Sequence, residues 1–223
     1  FIGSLPRPLL VIPGNHDIPA LNQPLDRFFD PFRRYRKAIS PDLEPRFSDS
    51  QLQILSLNSS RAFGLHADWS DGFLSSKQLS RIRSGFDADK RFKILVLHHP
   101  LLAPLGHQRS VVKPLPDLLD AIGIAKVDLV LCGHFHRSRT ATAGVMNQWK
   151  CVVSQAPTVC STRLQGEPQG YHEILLSPEK ITFIHHQFDG QTFSPVSSPE
   201  FSRGDDGWQD CGFQQSGEVV SPG

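Results

Sequence analysis

Three short apolar segments of the chain each end in a group of polar side chains that can bind metal ions. The segments span residues 9–12, 94–97 and 129–132, and the groups that follow them are Gly14-Asn15-His16-Asp17, His98-His99-Pro100 and Gly133-His134-Phe135-His136. A short, continuous apolar run is typical of a buried strand. Functional side chains of α/β sheets gather at the carboxyl ends of such strands. We therefore expect the three groups to meet at one site.

The alternation of strand and helix patterns predicts an α/β fold. Strands are expected over residues 8–12, 45–49, 51–57, 92–97 and 127–132. Helices are expected where apolar side chains recur at helical spacing: over residues 24–38 with a restart at Pro31, over 75–86 and over 114–125. The later part of the chain has only strand patterns, over residues 137–143, 149–154, 171–176 and 180–187. We therefore expect antiparallel strands packed on an α/β sheet.

The chain is predicted to form one domain followed by a tail. Residues 1–188 carry the strand and helix patterns, whereas residues 189–223 turn to Ser, Pro, Gly and Asp. Such a segment buries too little apolar surface to compensate for the entropy lost on ordering. We therefore expect residues 189–223 to be flexible.

The composition argues against several classes of function. Lys and Arg number 23 and Asp and Glu 22, so a net charge of +1 gives no electrostatic reason to bind nucleic acid or an anionic membrane. No apolar run reaches the length that spans a bilayer. Four scattered cysteines indicate a reducing compartment. We expect a cytoplasmic protein without nucleic-acid or membrane partners, and the sequence leaves its oligomeric state open.

The three polar groups have the chemistry of a metal site. Imidazole is the commonest protein ligand for transition metals, and the carbonyl oxygen of Asn15 suits a hard or borderline cation. A protonated His16 can act as a general acid, oriented by Asp17. Each group alone has a simpler explanation, because Gly-Asn is a turn signal and His98-His99 can simply end a strand. Their joint occurrence after three strands favours a phosphodiester-cleaving metal site.

Together the motifs resemble the last three signatures of the calcineurin-like metallophosphoesterase superfamily. The matching stretches are Val11-Ile12-Pro13-Gly14-Asn15-His16-Asp17, His98-His99-Pro100 and Gly133-His134-Phe135-His136. Within the superfamily, the chain is most similar to bacterial class III cyclic-nucleotide phosphodiesterases and their relatives. The resemblance covers about residues 1–188. It implies an αββα sandwich with a two-metal site between its sheets, the metals being divalent or trivalent ions of Mn, Fe or Zn.

The resemblance also implies which residues bind the metals. Asn15, His98 and His134 would bind the second ion, and His136 would bind the first. His99 would support these ligands without binding an ion itself.

The resemblance implies substrate roles for His16 and Asp17, and loop position makes Arg61 and His107 further candidates. His16 would protonate the leaving-group oxygen, with Asp17 as its orienting partner. Arg61 is a candidate phosphate contact and His107 a candidate substrate contact, since both lie in predicted loops. Histidines of the late strands are attributed to packing or surface exposure: His172, His185 and His186.

The chain departs from the superfamily pattern in one respect. The signatures Asp-x-His and Gly-Asp-x-x-Asp, which supply most ligands of the first metal, do not occur upstream of Gly14. The sequence therefore reads as an N-terminally truncated phosphoesterase, lacking the first strands and helices of the sandwich. We expect the 223-residue chain alone to have little or no activity.

The resemblance implies a hydrolase acting on a small phosphorylated substrate. Hydroxide activated by two metal ions would attack a phosphodiester, with a 3',5'-cyclic nucleotide as the first candidate, or a phosphomonoester. The alternative is a non-catalytic phosphoesterase-like scaffold that binds a partner, which would also explain missing ligands.

Overall fold

The computed structural model describes residues 2–20, 22–62, 71–102, 111–144, 149–162 and 166–212. Its helices are α1 (Pro24–Phe29), α2 (Arg33–Ala38), α3 (Ser76–Ser84) and α4 (Leu115–Ala125), with short 3-10 turns at Ile2–Ser4 and Asn15–Asp17. Its strands are β1 (Arg46–Ser48), β2 (Leu52–Ser56), β3 (Phe92–Val96), β4 (Leu129–Cys132), β5 (Arg139–Gly144), β6 (Lys150–Gln155), β7 (Gly170–Leu176), β8 (Lys180–Phe188), β9 (Phe193–Ser197), β10 (Glu200–Gly204) and β11 (Gly207–Asp210).

Four adjacent parallel strands form the centre of the fold. They run in the order β2, β3, β4 and β6, and Ile94 of β3 lies opposite Ile54 and Leu129 of its neighbours. The antiparallel strand β1 pairs with β2, and β5 pairs with β6. Because parallel strands present their carboxyl ends at one edge, the loops after β2, β3 and β4 emerge on the same side of the sheet.

Strands β7 to β11 extend this sheet through a narrow junction. Strand β8 pairs antiparallel with β7, β9 and β10, and β10 pairs with β11. Strand β11 then joins β6 in parallel through Gly207 and Lys150. Gly207 has φ +102°, and a Cβ there would lie 2.2 Å from the Lys150 carbonyl oxygen, so the junction requires glycine.

Two apolar cores lie on opposite faces of the parallel strands. On one face, α3 and α4 pack through Leu79, Ile82, Leu118 and Ile122. On the other face, Phe92, Ile94, Leu129 and Val152 meet residues of the later strands, namely Ile181, Phe183, Phe201 and Trp208. The sheet therefore curls so that its two parts face each other. The predicted mixed α/β fold class is confirmed.

Local sequence signals explain where the helices begin. Helix α3 starts after Ser75, whose hydroxyl accepts a hydrogen bond from the Gln78 backbone, while the Gln78 side chain accepts one from the Ser75 N–H. Helix α4 follows Pro114 and ends at Ala125, and the capping residue Lys126 after it has φ +51°. The predicted helices over 75–86 and 114–125 are thus confirmed to within two residues. The predicted break of the 24–38 helix is also present, but the second segment begins at Arg33 rather than Pro31.

The strand predicted over residues 8–12 is wrong. Residues 9–12 are half-buried and have no ladder partner among the described residues. Pro8 and Pro13 flank the segment and lack the N–H that a ladder needs. The polar group Gly14–Asp17 therefore follows an irregular segment and not a strand.

The prediction of a flexible segment from residue 189 onward is wrong for residues 193–210. Strands β9, β10 and β11 occupy this stretch, and Phe201 and Trp208 are fully buried. Their apolar contribution was hidden among Ser, Gly and Asp in the sequence. Residues 213–223 lie outside the described residues.

Two global properties follow from the described residues. None of their helices is long and apolar enough to cross a membrane. All four cysteines are free thiols, with Cys132 and Cys151 buried and Cys160 and Cys211 exposed.

Candidate metal centre

The candidate site lies where the loops after β2, β3 and β4 meet. These loops carry Ser59, the His98-His99 pair and the Gly133–His136 segment respectively. The Gly133 N–H donates a hydrogen bond to the His98 carbonyl oxygen at 3.0 Å, which holds two of the loops together. The predicted convergence of His98 and His134 is therefore present at one edge of the sheet.

Three imidazoles form the centre of the site. His98, His99 and His134 each offer a ring nitrogen, and these atoms lie within 4.8 Å of one another. His134 Nδ1 lies 3.3 Å from His98 Nε2, and the two rings are nearly perpendicular at 83°. Nitrogen atoms at this spacing can converge on one ion.

Asn15 joins this centre from the first loop. Its Oδ1 lies 3.0 Å from His98 Nε2, across 83 residues of sequence. The approach depends on Gly14, because a Cβ at this position would lie 2.7 Å from His98 Cε1. Glycine is thus needed for packing here, while the amide oxygen of Asn15 supplies the adjacent ligand group.

His98 is held in its neutral form. Burial, followed by the neighbouring His134, His16 and His136, lowers its pKa from 6.5 to about 3. A neutral imidazole keeps a lone pair available for a metal ion near pH 7. His16 and His136 are among the neighbours that lower the pKa of His98.

His134 and His136 have unusual backbone conformations. Their φ angles are +77° and +55°, in the region that favours glycine. Such residues cluster at functional sites, where surrounding contacts maintain the strained conformation. The Gly133–His136 loop is therefore shaped for something other than a minimal connection between β4 and β5.

His99 is fully buried behind the other two rings. Its Nδ1 lies 2.8 Å from Ser59 Oγ, and its backbone N–H donates to the same oxygen at 3.2 Å. Gly72 backs the ring, since a Cβ there would lie 2.3 Å from His99 Cγ. Ser59 and Gly72 were not predicted as site residues, although a hydroxyl in the loop that leaves a parallel strand is a usable signal. These contacts fix the ring that was predicted to support the ligands.

His16 and Asp17 lie on an exposed 3-10 turn beside this centre. Asp17 Oδ2 accepts a hydrogen bond from the Gly14 N–H at 2.8 Å, and the Asp17 N–H donates to the Gly14 carbonyl oxygen at 3.1 Å. The carboxylate therefore closes the turn that presents His16. The acid and orienting roles of the two residues stay predictions.

Arg61 and His107 are the remaining candidates for substrate contact. The Arg61 guanidinium carbon lies 3.7 Å from the centroid of the Phe73 ring, and burial lowers its pKa whereas Asp71 raises it. Asp71 pairs in turn with Lys113. Arg61 as a phosphate contact stays a prediction, and His107 lies outside the described residues.

The donor set suits a borderline transition metal. Within the described residues, the group of at least three possible His, Cys, Asp or Glu ligands consists of imidazoles alone. Neutral imidazoles and an amide oxygen fit Zn, Fe or Mn without selecting one of them. The residues present are therefore compatible with a metal ion, and the carboxylates that the resemblance expects would have to come from elsewhere.

Comparison with known proteins places this site in context. A family model described as calcineurin-like phosphoesterase matches residues 1–138. A purple acid phosphatase from yellow lupin (Lupinus luteus) seeds is 14% identical with a TM-score of 0.47, over 74% of this chain and 34% of that one. Vps29 from Entamoeba histolytica, in complex with zinc, is 10% identical with a TM-score of 0.28, over 64% and 97%. The chain thus spans only a third of the lupin enzyme, and no curated protein matches it.

Proposed function

Because the chain belongs to the calcineurin-like phosphoesterase family, we propose that it carries part of the active site of a metal-dependent phosphoesterase. The observation that supports this most directly is the convergence of three side chains. His134 Nδ1 lies 3.3 Å and Asn15 Oδ1 lies 3.0 Å from His98 Nε2. These residues come from three distant parts of the sequence. Packing alone gives little reason to bring two imidazoles and an amide to one point.

Asn15, His98 and His134 would hold one ion, and His136 would contribute to a second. When bound, such ions supply a nucleophile from water at neutral pH and neutralise charge on phosphoryl oxygens. The protein supplies geometry: the Gly133 N–H anchors one ligand loop to the other, and His99 packs behind both rings. Ligands that are already held in place lose little conformational entropy when an ion binds.

His16 is proposed as the acid that protonates the departing oxygen. It lies on an exposed turn, where a substrate can reach it, and close enough to His98 to lower the pKa of that ring. Asp17 would act by closing the turn through Gly14 rather than by direct contact with the His16 ring. This assignment would give the turn a catalytic purpose.

A small phosphodiester is the proposed substrate class, with a 3',5'-cyclic nucleotide as the first candidate. This choice rests on motif similarity, and fold alone does not specify a substrate. A cytoplasmic location is proposed from the free thiols.

Metal binding by the 223-residue chain is the first test. Calorimetric titration of the purified, metal-stripped chain with Zn²⁺ or Mn²⁺ should show binding that His98→Ala or His134→Ala abolishes. His186→Ala is the matched control and should bind like the wild type, because this histidine of β8 stacks on Tyr171 and pairs with Glu173. Absence of binding by the wild type would contradict the proposal.

Hydrolysis is the second test. Bis-p-nitrophenyl phosphate, p-nitrophenyl phosphate and 3',5'-cyclic AMP should be cleaved, with added Mn²⁺ and not with chelator, by any form of the protein that also supplies upstream carboxylate ligands. The chain alone should be slow. If a form with those ligands binds metal but cleaves none of these esters, the scaffold alternative gains support.

A further inference from the structure

A second group of histidines lies next to the loop that carries His134 and His136. His172 of β7 and His185 of β8 are direct cross-strand neighbours, and their rings stack with centroids 4.1 Å apart. Both face the interior, with His185 buried. The sequence predicted ordinary packing or surface exposure for them, but their hydrogen bonds indicate a more specific role.

Three serine hydroxyls contact these rings, and that of Ser138 contacts both. Ser138 Oγ lies 2.8 Å from His172 Nε2 and 3.4 Å from His185 Nδ1. Ser154 Oγ lies 2.8 Å from His172 Nδ1, and Ser197 Oγ lies 2.8 Å from His185 Nδ1. Both nitrogens of His172 are therefore engaged, one with a serine of β6 and the other with Ser138.

Ser138 is the link between this network and the candidate metal centre. It follows His136 by two residues, and its N–H donates a hydrogen bond to Glu167 Oε2 at 2.7 Å. At the other end of the same loop, the Gly133 N–H is bonded to the His98 carbonyl oxygen. The positive-φ residues His134 and His136 thus lie between two anchors, and a strained conformation persists only when such contacts maintain it.

We propose that His172 is a positioning residue for the metal-binding loop Gly133–His136, acting on His134 and His136 through the hydroxyl of Ser138. The proposal rests on the proposed function, since it concerns the same metal centre. Support comes from the two hydrogen bonds of one imidazole ring. One joins the ring to Ser154 of β6, and the other joins it to Ser138 beside the loop. An apolar ring of similar size would fill the same space but leave both hydroxyls without this partner.

His172 performs this role as a neutral group. Burial and the neighbouring His185 lower its pKa to about 3. A neutral imidazole has one donor and one acceptor nitrogen, and serine hydroxyls rotate to match either tautomer. Both ring nitrogens of His172 can therefore be hydrogen-bonded without a buried charge.

Two substitutions separate positioning from packing. His172→Phe keeps ring volume and removes both hydrogen bonds, whereas His172→Gln keeps an amide that can reach Ser138. The matched control is His186→Phe, because His186 is the next residue after His185 and stacks on Tyr171 on the opposite face of the sheet. All variants are prepared in the whole chain, and thermal unfolding establishes that each is folded.

The readouts are Zn²⁺ affinity by calorimetry and the visible absorption spectrum of the Co²⁺-loaded chain. His172→Phe should weaken affinity by about 10- to 100-fold, as loss of outer contacts does in other metal sites. It should also change the Co²⁺ spectrum. His172→Gln should recover part of the affinity, and His186→Phe should match the wild type.

The outcomes distinguish this inference from the proposed function. If the wild type binds no metal, both fail. If the wild type binds but His172→Phe and His186→Phe behave alike, only the positioning role is overturned. Should His172→Phe not fold, Ser138→Ala removes the connecting hydroxyl alone and must lower the affinity; unchanged affinity in that variant overturns the proposal.

Discussion

The His98 ring and the backbone of the first loop approach each other so closely that no side chain fits between them. A Cβ on Gly14 would lie 2.7 Å from Cε1 and 2.9 Å from Nδ1 of His98. Either the ring or the loop would have to move, and the 3.0 Å separation between Asn15 and His98 would be lost. Gly14 thus controls the geometry of a ligand pair without offering a ligand.

Gly14→Ala is therefore expected to lower metal affinity by about 10- to 100-fold, comparable to losses of other supporting contacts in metal sites. Calorimetric titration with Zn²⁺ measures the effect. Gly3→Ala is the control, because a Cβ there meets nothing within 4 Å. Equal affinity in the two variants would show that the His98 ring tolerates displacement.

Buried imidazoles also make stability depend on pH. The folded-state pKa of His172, about 3, lies below its unfolded value near 6.5, so the unfolded chain binds more protons between these limits. The free energy of unfolding should be greatest above pH 6.5. As the pH is lowered from 6.5 towards 3, it should decrease by up to about 1.4 kcal/mol per pH unit for such a group. Urea unfolding at a series of pH values should show a shallower dependence for His172→Gln. A profile parallel to that of the wild type would contradict this assignment.

Among the secondary structure elements, one carboxylate ties the early strands to the late ones. Asp128, just before β4, is buried, and its Oδ1 accepts hydrogen bonds from Arg203 Nη2 at 2.8 Å and Trp208 Nε1 at 3.0 Å. Its Oδ2 accepts one from the Lys93 N–H at 2.9 Å. One side chain therefore joins β3, β10 and β11.

Asp128→Ala should destabilise the chain by about 3 kcal/mol, since it leaves an indole N–H and a guanidinium without their acceptor. Chemical denaturation at neutral pH measures the loss. Asp128→Asn retains one acceptor oxygen and should cost less, while Asp205→Ala, in the exposed turn between β10 and β11, should have little effect. A loss for Asp128→Ala no greater than for Asp205→Ala would show that the network adds nothing.

The elements that could be predicted from sequence are those with redundant signals. Helix α3 combines helical periodicity with a capping box, and β3 and β4 are continuous apolar runs. The apolar run before Gly14 carried the same signal, yet prolines on both sides prevent it from joining a ladder. Strand β11, in contrast, was present but not predicted, because a single Trp208 between polar residues gives almost no periodic signal.

For the molecule as a whole, strands β8, β10 and β11 contribute buried side chains to the core. Phe201 is fully buried and packs edge-on against Phe183, with ring centroids 5.8 Å apart. Phe201→Ala should cost about 3–5 kcal/mol, as for other buried aromatic truncations. Val196→Ala, at a side chain that is 55% exposed, should stay within about 0.5 kcal/mol. Comparable unfolding midpoints for the two variants would refute this role of β10.

The candidate site was predictable only where short motifs follow the strands. His98 and His134 were identified because each follows a parallel strand, and parallel topology brings strand ends together. The contacts of His99 with Ser59 and Gly72, and those of His172 with Ser138 and Ser154, depend on packing between distant loops and strands. No local sequence pattern indicates these contacts, so His172 was predicted only to pack or to lie at the surface.

The position of Trp208 in the core between the two parts of the sheet has a consequence for biosynthesis. The ribosome delivers Phe92 and Leu129 long before Trp208, which meets them in the finished fold. Chains grow at about 5–20 residues per second. For several seconds, therefore, the face of β3, β4 and β6 that later lies against β8, β10 and β11 has no cover. A chaperone that shields this apolar face during that interval would raise the yield of folded protein.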